Sequence, residues 1–204
     1  MNQDLQDTYL TIAEPSQGMY KEKGSKFLAF AYPVSHEESI KNHIQDLKKT
    51  YFDARHHCYA YILGYKQDRY RANDDGEPGN SAGNPILGQI RSRNLTDVLI
   101  VVVRYFGGTK LGVSGLIQAY KTASAEALNN SQIVECQALD HIHIQFNYPQ
   151  MNDVMKIIKT YDLDIVSQKT ELHCEMNIRV RKKLNPEVTK KLHEIEGLVL
   201  TQIF

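Results

Sequence analysis

The stretch "DVLIVVVRYFGGTKLGVSGLIQAY" (residues 97–120) decides most of the expected fold, because a strand, a loop and a helix follow one another in it. Residues 97–106 are almost continuously apolar, as in a strand that is buried on both faces. Apolar and small residues then recur at helical spacing at Leu116, Tyr120, Ala123 and Ala127. The loop between them contains Gly107, Gly108, Gly112 and Gly115. Glycine is favoured where the backbone needs an unusual conformation or a close approach, so this loop is expected to lie close to a ligand or to another segment of the protein.

The rest of the chain predicts further strands and helices in alternation. Before residue 97, we expect strands over 26–34 and 56–64, a helix over 35–49, and a short helix that opens at Pro85. After residue 138, the patterns predict strand 139–147, helix 149–161, strands 163–169 and 172–180, helix 186–195 and strand 198–203. This βαββαβ order is typical of a ferredoxin-like sandwich. The sequence therefore predicts an α+β protein with two domains, joined near residues 131–137.

Composition limits the classes of function. The 204 residues include 24 Lys and Arg against 24 Asp and Glu, so the net charge of zero provides no global attraction to nucleic acid. No apolar run is long enough for a transmembrane helix, and the acidic, polar start of the chain argues against a signal peptide. Cys58, Cys136 and Cys174 are isolated, which fits a reducing compartment and predicts no zinc site. We therefore expect a cytoplasmic protein without a membrane partner, a metal or a cofactor.

Positive charge is concentrated locally in two stretches. The first contains Arg91, Arg93, Arg104, Lys110 and Lys121. The second contains Arg179, Arg181, Lys182, Lys183, Lys190 and Lys191. Each stretch is either a nucleic-acid contact or an ordinary solvated surface, and the sequence leaves both interpretations open.

The glycine loop matches neither standard nucleotide motif. A Walker A loop requires Lys and then Ser or Thr after its last glycine, but Val113 and Ser114 follow Gly112. No register of the glycines gives the G-x-G-x-x-G dinucleotide pattern. An anion site is still possible, since a helix start exposes free N–H groups, Ser114 could cap that helix, and Lys110 and Arg104 could supply charge. The alternative is a tight structural turn.

A second polar segment, "NDDGEPGNSAG" (residues 73–83), contains three carboxylates. Asp74, Asp75 and Glu77 could hold a hard cation or act as a paired acid and base. Alternatively, they cap neighbouring backbone or pair with an arginine such as Arg104. His57 could contact Asp75, although His56 and His57 must face opposite ways on a strand.

The motifs "DARHHCYAY", "DDGEP", "AGNPIL" and "VVVRYFGGTKLG" resemble those of the IMPACT family, and in particular its bacterial two-domain members of YigZ type. The resemblance covers essentially the whole chain. It implies an IMPACT N-terminal domain over residues 1–130 that is similar to the second domain of small-subunit ribosomal protein five. It also implies a ferredoxin-like domain over residues 138–204. The pair is similar in order and fold to the last two domains of translation elongation factor G.

The chain departs from the family's usual sequence at two places. Gly79, Asn80 and Ser81 follow "DDGEP" where relatives usually have Ser, Gly and Thr; Asn80 tolerates the left-handed backbone that a glycine adopts. Ser114 stands where relatives often have another glycine, which puts in doubt a ligand held tightly against the backbone at that position.

Three functions remain in competition. The resemblance implies a regulator of translation, since eukaryotic relatives act through a partner of a kinase of an initiation factor. We expect such a protein to bind RNA, the ribosome or a protein of the translation machinery. The expected contact residues are Arg104, Gly107, Gly108, Lys110, Gly112 and Ser114. The second function is a metal- or phosphate-dependent hydrolase with a pocket formed by His57, Asp74, Asp75 and Glu77. The third is a protein-interaction scaffold without chemistry of its own.

Overall fold

The computed structural model describes residues 7–203, with side chains described as far as Thr201. Residues 1–6, which belong to the expected first domain, and Phe204 lie outside the described part. The chain forms a mixed α/β protein with antiparallel sheets and, in its described residues, five α-helices. Residues Tyr9–Cys136 make one compact unit; Asp7, Thr8 and the residues from Gln137 onward make the other. No helix within 7–203 is both long and apolar enough to cross a membrane.

The first unit contains seven strands and three helices. They are β1 (Thr8–Ile12), β2 (Ser16–Glu22), β3 (Ser25–Pro33), α1 (Glu37–Thr50), β4 (His56–Leu63), β5 (Arg69–Asn73), α2 (Gly83–Ser92), β6 (Val98–Tyr105), α3 (Gly112–Asn129) and β7 (Ile133–Gln137). Strands β1 and β7 pair separately, and the other five form a sheet in the order β2-β3-β6-β4-β5.

Strand β6 is the centre of this sheet and of the unit. Its residues from Val98 to Arg104 are all buried, as the apolar run predicts. It pairs antiparallel with β3 on one side and with β4 on the other. Helix α1 covers one face of the sheet, and α2 and α3 cover the opposite face, so each face has its own apolar core. The strand therefore needs apolar residues at every position rather than at alternate ones.

The second unit follows the predicted βαββαβ order. Its elements are β8 (Leu139–Phe146), α4 (Met151–Thr160), β9 (Asp164–Thr170), β10 (Cys174–Arg181), α5 (Asn185–His193) and β11 (Val199–Ile203). The strands are antiparallel and lie in the order β11-β8-β10-β9. Alternate residues of β8 and β10 are buried together with Val154 of α4 and Val188 of α5. The helices therefore pack on one face of this sheet.

The glycine loop packs against the turn between β2 and β3 at Gly107. A Cβ atom at this position would lie 1.9 Å from the carbonyl carbon of Gly24, in the turn between β2 and β3. The Gly107 N–H also lies 3.1 Å from the Ser25 hydroxyl, which accepts its hydrogen bond. The close approach is thus between two segments of the same unit.

We expect Gly107→Ala to destabilise the protein by about 1–3 kcal/mol, since the added methyl group collides with backbone that cannot move aside. Gly79→Ala is the matched control, because φ is not positive at either glycine and nothing lies within 4 Å of a Cβ at Gly79. Urea unfolding of both variants measures the difference. Equal stabilities would show that the loop is not held by this contact.

Candidate functional site

Strand register places His56 and Arg104 on the same face of the sheet. Antiparallel pairing of β4 and β6 sets His56 opposite Arg104 and His57 opposite Val103. Directly opposed residues point to the same side, and successive residues alternate. His56 and Arg104 therefore face the layer of α2 and α3, whereas His57 faces the layer of α1.

Arg104 forms a buried ion pair with Glu77 of the "DDGEP" turn. Its Nη1 donates to Glu77 Oε1 at 2.6 Å, and the two side chains are only 8% and 4% exposed. The Tyr120 hydroxyl of α3 donates to the same oxygen at 2.7 Å. Burial raises the pKa of the Tyr120 phenol, so this group stays protonated and remains a donor. The turn, strand β6 and helix α3 are thus joined at one carboxylate.

The Cys58 thiol extends this buried network. Its Sγ lies 3.2 Å from the Tyr120 hydroxyl and 3.0 Å from the carbonyl oxygen of Asp74. Burial raises the pKa of the Cys58 thiol, and the nearby carboxylates raise it further, so the group is a neutral thiol. It contributes packing and a weak hydrogen bond rather than a nucleophile.

Arg104 and Glu77 line a cleft of about 480 Å³, which we call the basic cleft. Its lining comes from the start of β4, the "DDGEP" turn, the glycine loop and the first turns of α3. The lining residues are Arg55, His56, Glu77, Pro78, Arg104, Phe106, Lys110, Leu111, Gly112, Val113 and Leu116. The glycine loop and the "DDGEP" turn therefore share one pocket.

The charge of the basic cleft is positive. The lining contains three cations and one carboxylate, and because Arg104 pairs with Glu77, the uncompensated cations are Arg55 and Lys110. Arg55 and Lys110 are exposed, and neither makes an ion pair with another residue of 7–203. The cleft thus offers uncompensated positive charge in a chain whose net charge is zero.

A hydrogen bond orients the His56 ring at the edge of this cleft. Its Nδ1 lies 2.9 Å from the carbonyl oxygen of Asp75. A carbonyl only accepts hydrogen bonds, so Nδ1 bears a proton and donates it to this contact. From the sequence we expected the other histidine, His57, in this pocket.

His57, Asp74 and Asp75 do not line the basic cleft. Asp74 caps α2, since its carboxylate accepts from the backbone N–H groups of Asn80, Ala82 and Gly83 at 2.8–2.9 Å. Three backbone donors thus occupy both of its oxygens. Asn80, with φ of 65°, adopts the left-handed conformation expected for it.

Asp75 is turned toward the α1 side of the sheet. It accepts the His57 backbone N–H at 2.7 Å and pairs with Lys48 of α1 at 3.2 Å. The His57 ring lies 4.0 Å from the same carboxylate. Burial lowers the pKa of the His57 imidazole, and the negative charge of Asp75 partly offsets this effect. The expected pocket residues are therefore separated, since Glu77 lies on the cleft side and His57 and Asp75 lie on the α1 side.

Ser114 does not cap α3, contrary to the expectation from the sequence. The helix begins at Gly112, preceded by Leu111, and no side chain caps it. Ser114 is an exposed residue of the first turn, too far into the helix to serve as a cap. Gly108 and Gly112 have φ of 88° and 72°, with no atom within 4 Å of a Cβ at either. These two glycines provide backbone shape and leave open space.

Outside the cleft, most cations of the two basic stretches have partners within the protein. In the first, Arg91 stacks on Tyr70 at 4.4 Å, and Arg93 donates to the carbonyl oxygen of Ala125 near the end of α3. In the second, most cations are neutralised by ion pairs: Arg179–Asp164, Arg181–Asp7, Lys182–Asp140, Lys183–Asp7 and Lys191–Glu194. These contacts favour the solvated-surface interpretation outside the basic cleft.

No three His, Cys, Asp or Glu side chains within residues 7–203 lie close enough together to hold a metal ion. The basic cleft has the chemistry of an anion site, with the exposed cations Arg55 and Lys110 and the free N–H groups of a helix start. Arg55, His56 and Phe106 line it, and none of the three was expected there from the sequence.

The Arg104–Glu77 pair can be tested by a double-mutant cycle. Glu77→Gln or Arg104→Met alone is expected to cost about 3–5 kcal/mol of unfolding free energy, because each leaves a buried charge without its partner. The double variant leaves no buried charge, and the introduced amide oxygen still accepts from Tyr120, so its loss should be well below the sum. Urea unfolding measures the cycle, and additive losses would contradict the pairing.

Comparisons of the sequence with protein families and with curated proteins point to the same family. The family model of the Impact N-terminal domain matches residues 23–128. "IMPACT family member YvyE" of Bacillus subtilis is 37% identical over 147 residues, which cover 72% of this chain and 68% of the relative. "IMPACT family member YigZ" of Escherichia coli is 29% identical over 163 residues, or 79% and 80% of the two chains.

A solved structure described as "Crystal structure of an hypothetical protein" matches 98% of this chain and 99% of its own, with a TM-score of 0.74 and 26% identity. The match to the Impact N-terminal domain includes the strands, the turn and the glycine loop that form the basic cleft. This chain belongs to the IMPACT family.

Proposed function

We propose that this protein is a translation-associated regulator that binds RNA or the ribosome through the basic cleft. The observation that supports it is that Arg55 and Lys110, which make no ion pair with another residue of 7–203, line one concave surface whose lining carboxylate is already paired with Arg104. The phosphate backbone dominates the affinity of proteins for nucleic acid, and unpaired cations are what contact it. A cleft of this charge suits RNA despite the neutral chain.

The geometry of the glycine loop supports the same proposal. Gly112 leaves open space at the start of α3, where backbone N–H groups have no partner within the helix. The helix dipole adds a partial positive charge there. Of the expected contact residues Arg104, Gly107, Gly108, Lys110, Gly112 and Ser114, three line the cleft, namely Arg104, Lys110 and Gly112. Gly108 and Ser114 are exposed, and Ser114 would contribute its backbone amide and hydroxyl rather than a helix cap. Gly107 packs against Gly24 and donates its N–H to Ser25, so its part in the proposal is to shape the loop.

Fold resemblance gives further support. The strand order β11-β8-β10-β9 is the order expected of a ferredoxin-like domain over residues 138–204. With a first domain over residues 1–130 similar to that of ribosomal protein five, the pair would be similar to the last two domains of elongation factor G. A cytoplasmic location is part of this proposal, and the free Cys58, Cys136 and Cys174 support it.

The two other functions have weaker support. A hydrolase that uses the "DDGEP" carboxylates conflicts with the engagement of Asp74 and Asp75 by backbone N–H groups. A protein partner of the translation machinery is favoured by Val113 and Ile117, which are 53% and 38% exposed on α3. Such a partner would dock beside the basic cleft.

The proposal predicts salt-dependent binding of RNA. Fluorescence anisotropy with a labelled RNA of about 12 nucleotides, over a series of KCl concentrations, should show log affinity falling linearly with log salt concentration. Lys110→Ala and Arg55→Ala should each weaken binding and reduce the slope by about 0.7, the value for one single-strand phosphate contact.

Lys41→Ala is the matched control, because Lys41 is an exposed lysine of α1 on the other layer of the unit. It should leave both affinity and slope unchanged. Absence of RNA binding by the unaltered protein at low salt, or an equal loss in the Lys41 variant, would contradict the proposal. Co-sedimentation of the same variants with ribosomes distinguishes free RNA from the ribosome as the target.

A further inference from the structure

We infer that the basic cleft takes an unpaired nucleotide, with the base stacked on Phe106 and the phosphate held by Arg55, Lys110 and the start of α3. This inference rests on the proposed function and defines its ligand as single-stranded RNA. Phosphate contacts alone would accept any nucleic acid, whereas a stacking ring selects bases that are not already paired.

Phe106 has the properties of a stacking platform. It lines the cleft, and half of the residue (50%) is exposed. The guanidinium carbon of Arg104 lies 5.8 Å from its ring centroid and 5.4 Å from the centroid of the buried Phe27. A cation at this distance attracts the π-face of a ring, so a buried group holds Phe106 in place while part of the ring stays open.

Arg104 is a buried cation in the wall of the cleft. The residue is only 6% exposed, and Nη1 is used by Glu77. Its Nε has no hydrogen-bond partner in the described part of the chain. An unpartnered donor in a buried guanidinium is unusual, because leaving such a group unsatisfied costs stability. The protein thus leaves the hydrogen bonding of this guanidinium incomplete, but because Nε is itself buried, direct ligand contacts must come from the exposed lining residues.

Other lining residues of the same cleft suit a phosphate group. Arg55 and Lys110 are exposed cations, and the first turn of the 18-residue helix α3 presents its unbonded N–H groups. Gly112 has nothing within 4 Å of a Cβ position, so a phosphate oxygen can approach the backbone. Cations and ring line the same cleft, whose volume of about 480 Å³ is typical of small-molecule sites.

Other anionic ligands fit this arrangement less well. In a duplex, both faces of each base are stacked on neighbouring pairs, so Phe106 would have no free face to contact. An acidic peptide would use Arg55 and Lys110 but leave the ring without a planar partner. The exposed aromatic ring beside the cations therefore favours an unpaired nucleotide.

The first test compares substitutions at Phe106. Phe106→Leu keeps an apolar side chain but removes the ring, and should weaken binding of the same single-stranded RNA about 5- to 140-fold, the range for one stacked base. Phe106→Tyr keeps the ring and should retain the affinity. Phe52→Leu is the matched control, since Phe52 is 83% exposed and is not a lining residue of the cleft.

The second test is direct, because the chain contains no tryptophan. Phe106→Trp introduces a single indole, whose fluorescence should be quenched when single-stranded RNA stacks on it. Duplex RNA of the same sequence, inorganic phosphate and an oligoglutamate peptide should leave the fluorescence largely unchanged. Circular dichroism and thermal unfolding verify that each variant is folded.

The outcomes separate the inference from the proposed function. Loss of RNA binding in Lys110→Ala, with no loss in folded Phe106→Leu, would overturn the stacking inference and leave the proposed function standing. Equal affinity for duplex RNA, or quenching by oligoglutamate, would overturn the inference as well. Absence of RNA binding by the unaltered protein would overturn both.

Discussion

The buried ion pair between Arg104 and Glu77 is the interaction on which the cleft depends. A charge removed from water is stable only beside its partner, so the carboxylate must lie against the end of β6. Tyr120 donates to the same carboxylate oxygen and adds α3 to the arrangement. One carboxylate thereby brings together segments that are distant in the sequence. It fixes the "DDGEP" turn to β6 and α3, the two elements that the glycine loop connects.

Backbone constraints complete the cleft around this pair. Gly107 brings the loop against the turn after β2, and Gly108 and Gly112 take up left-handed φ values that most residues avoid. Asp74 fixes the other side by capping α2. The three carboxylates of the "DDGEP" segment therefore have different partners: Asp74 caps α2, Asp75 pairs with Lys48 of α1, and Glu77 pairs with Arg104. What remains free at the surface is positive charge and an aromatic ring.

The sequence predicts elements well where periodicity is strong and poorly where it is weak. The apolar run of β6 and the βαββαβ order of the second unit are confirmed to within a few residues. Strands β1, β2, β5 and β7 were not predicted, because they are short or polar and the stretch near residues 131–137 resembled a linker. Such strands are stabilised by pairing with distant segments, which local patterns do not encode.

The candidate site could be predicted only in part, because it too depends on pairing between distant segments. Strand alternation already implied that only one of His56 and His57 could face a pocket, but only the register with β6 shows that it is His56. The fate of each carboxylate depends on long-range partners such as Lys48, which no spacing rule predicts. Phe106 was treated as the end of a strand, and its exposure beside Arg104 became visible only in the folded chain.

The central claim is that one cleft in the first unit binds single-stranded RNA. Titration of ¹⁵N-labelled protein with a short single-stranded RNA, followed by amide chemical shifts, tests it most directly. We predict that the largest shifts fall on the amides of Phe106, Gly108, Lys110 and Gly112 and on that of His56. Shifts confined to the second unit, or to α1 on the other face of the sheet, would contradict it.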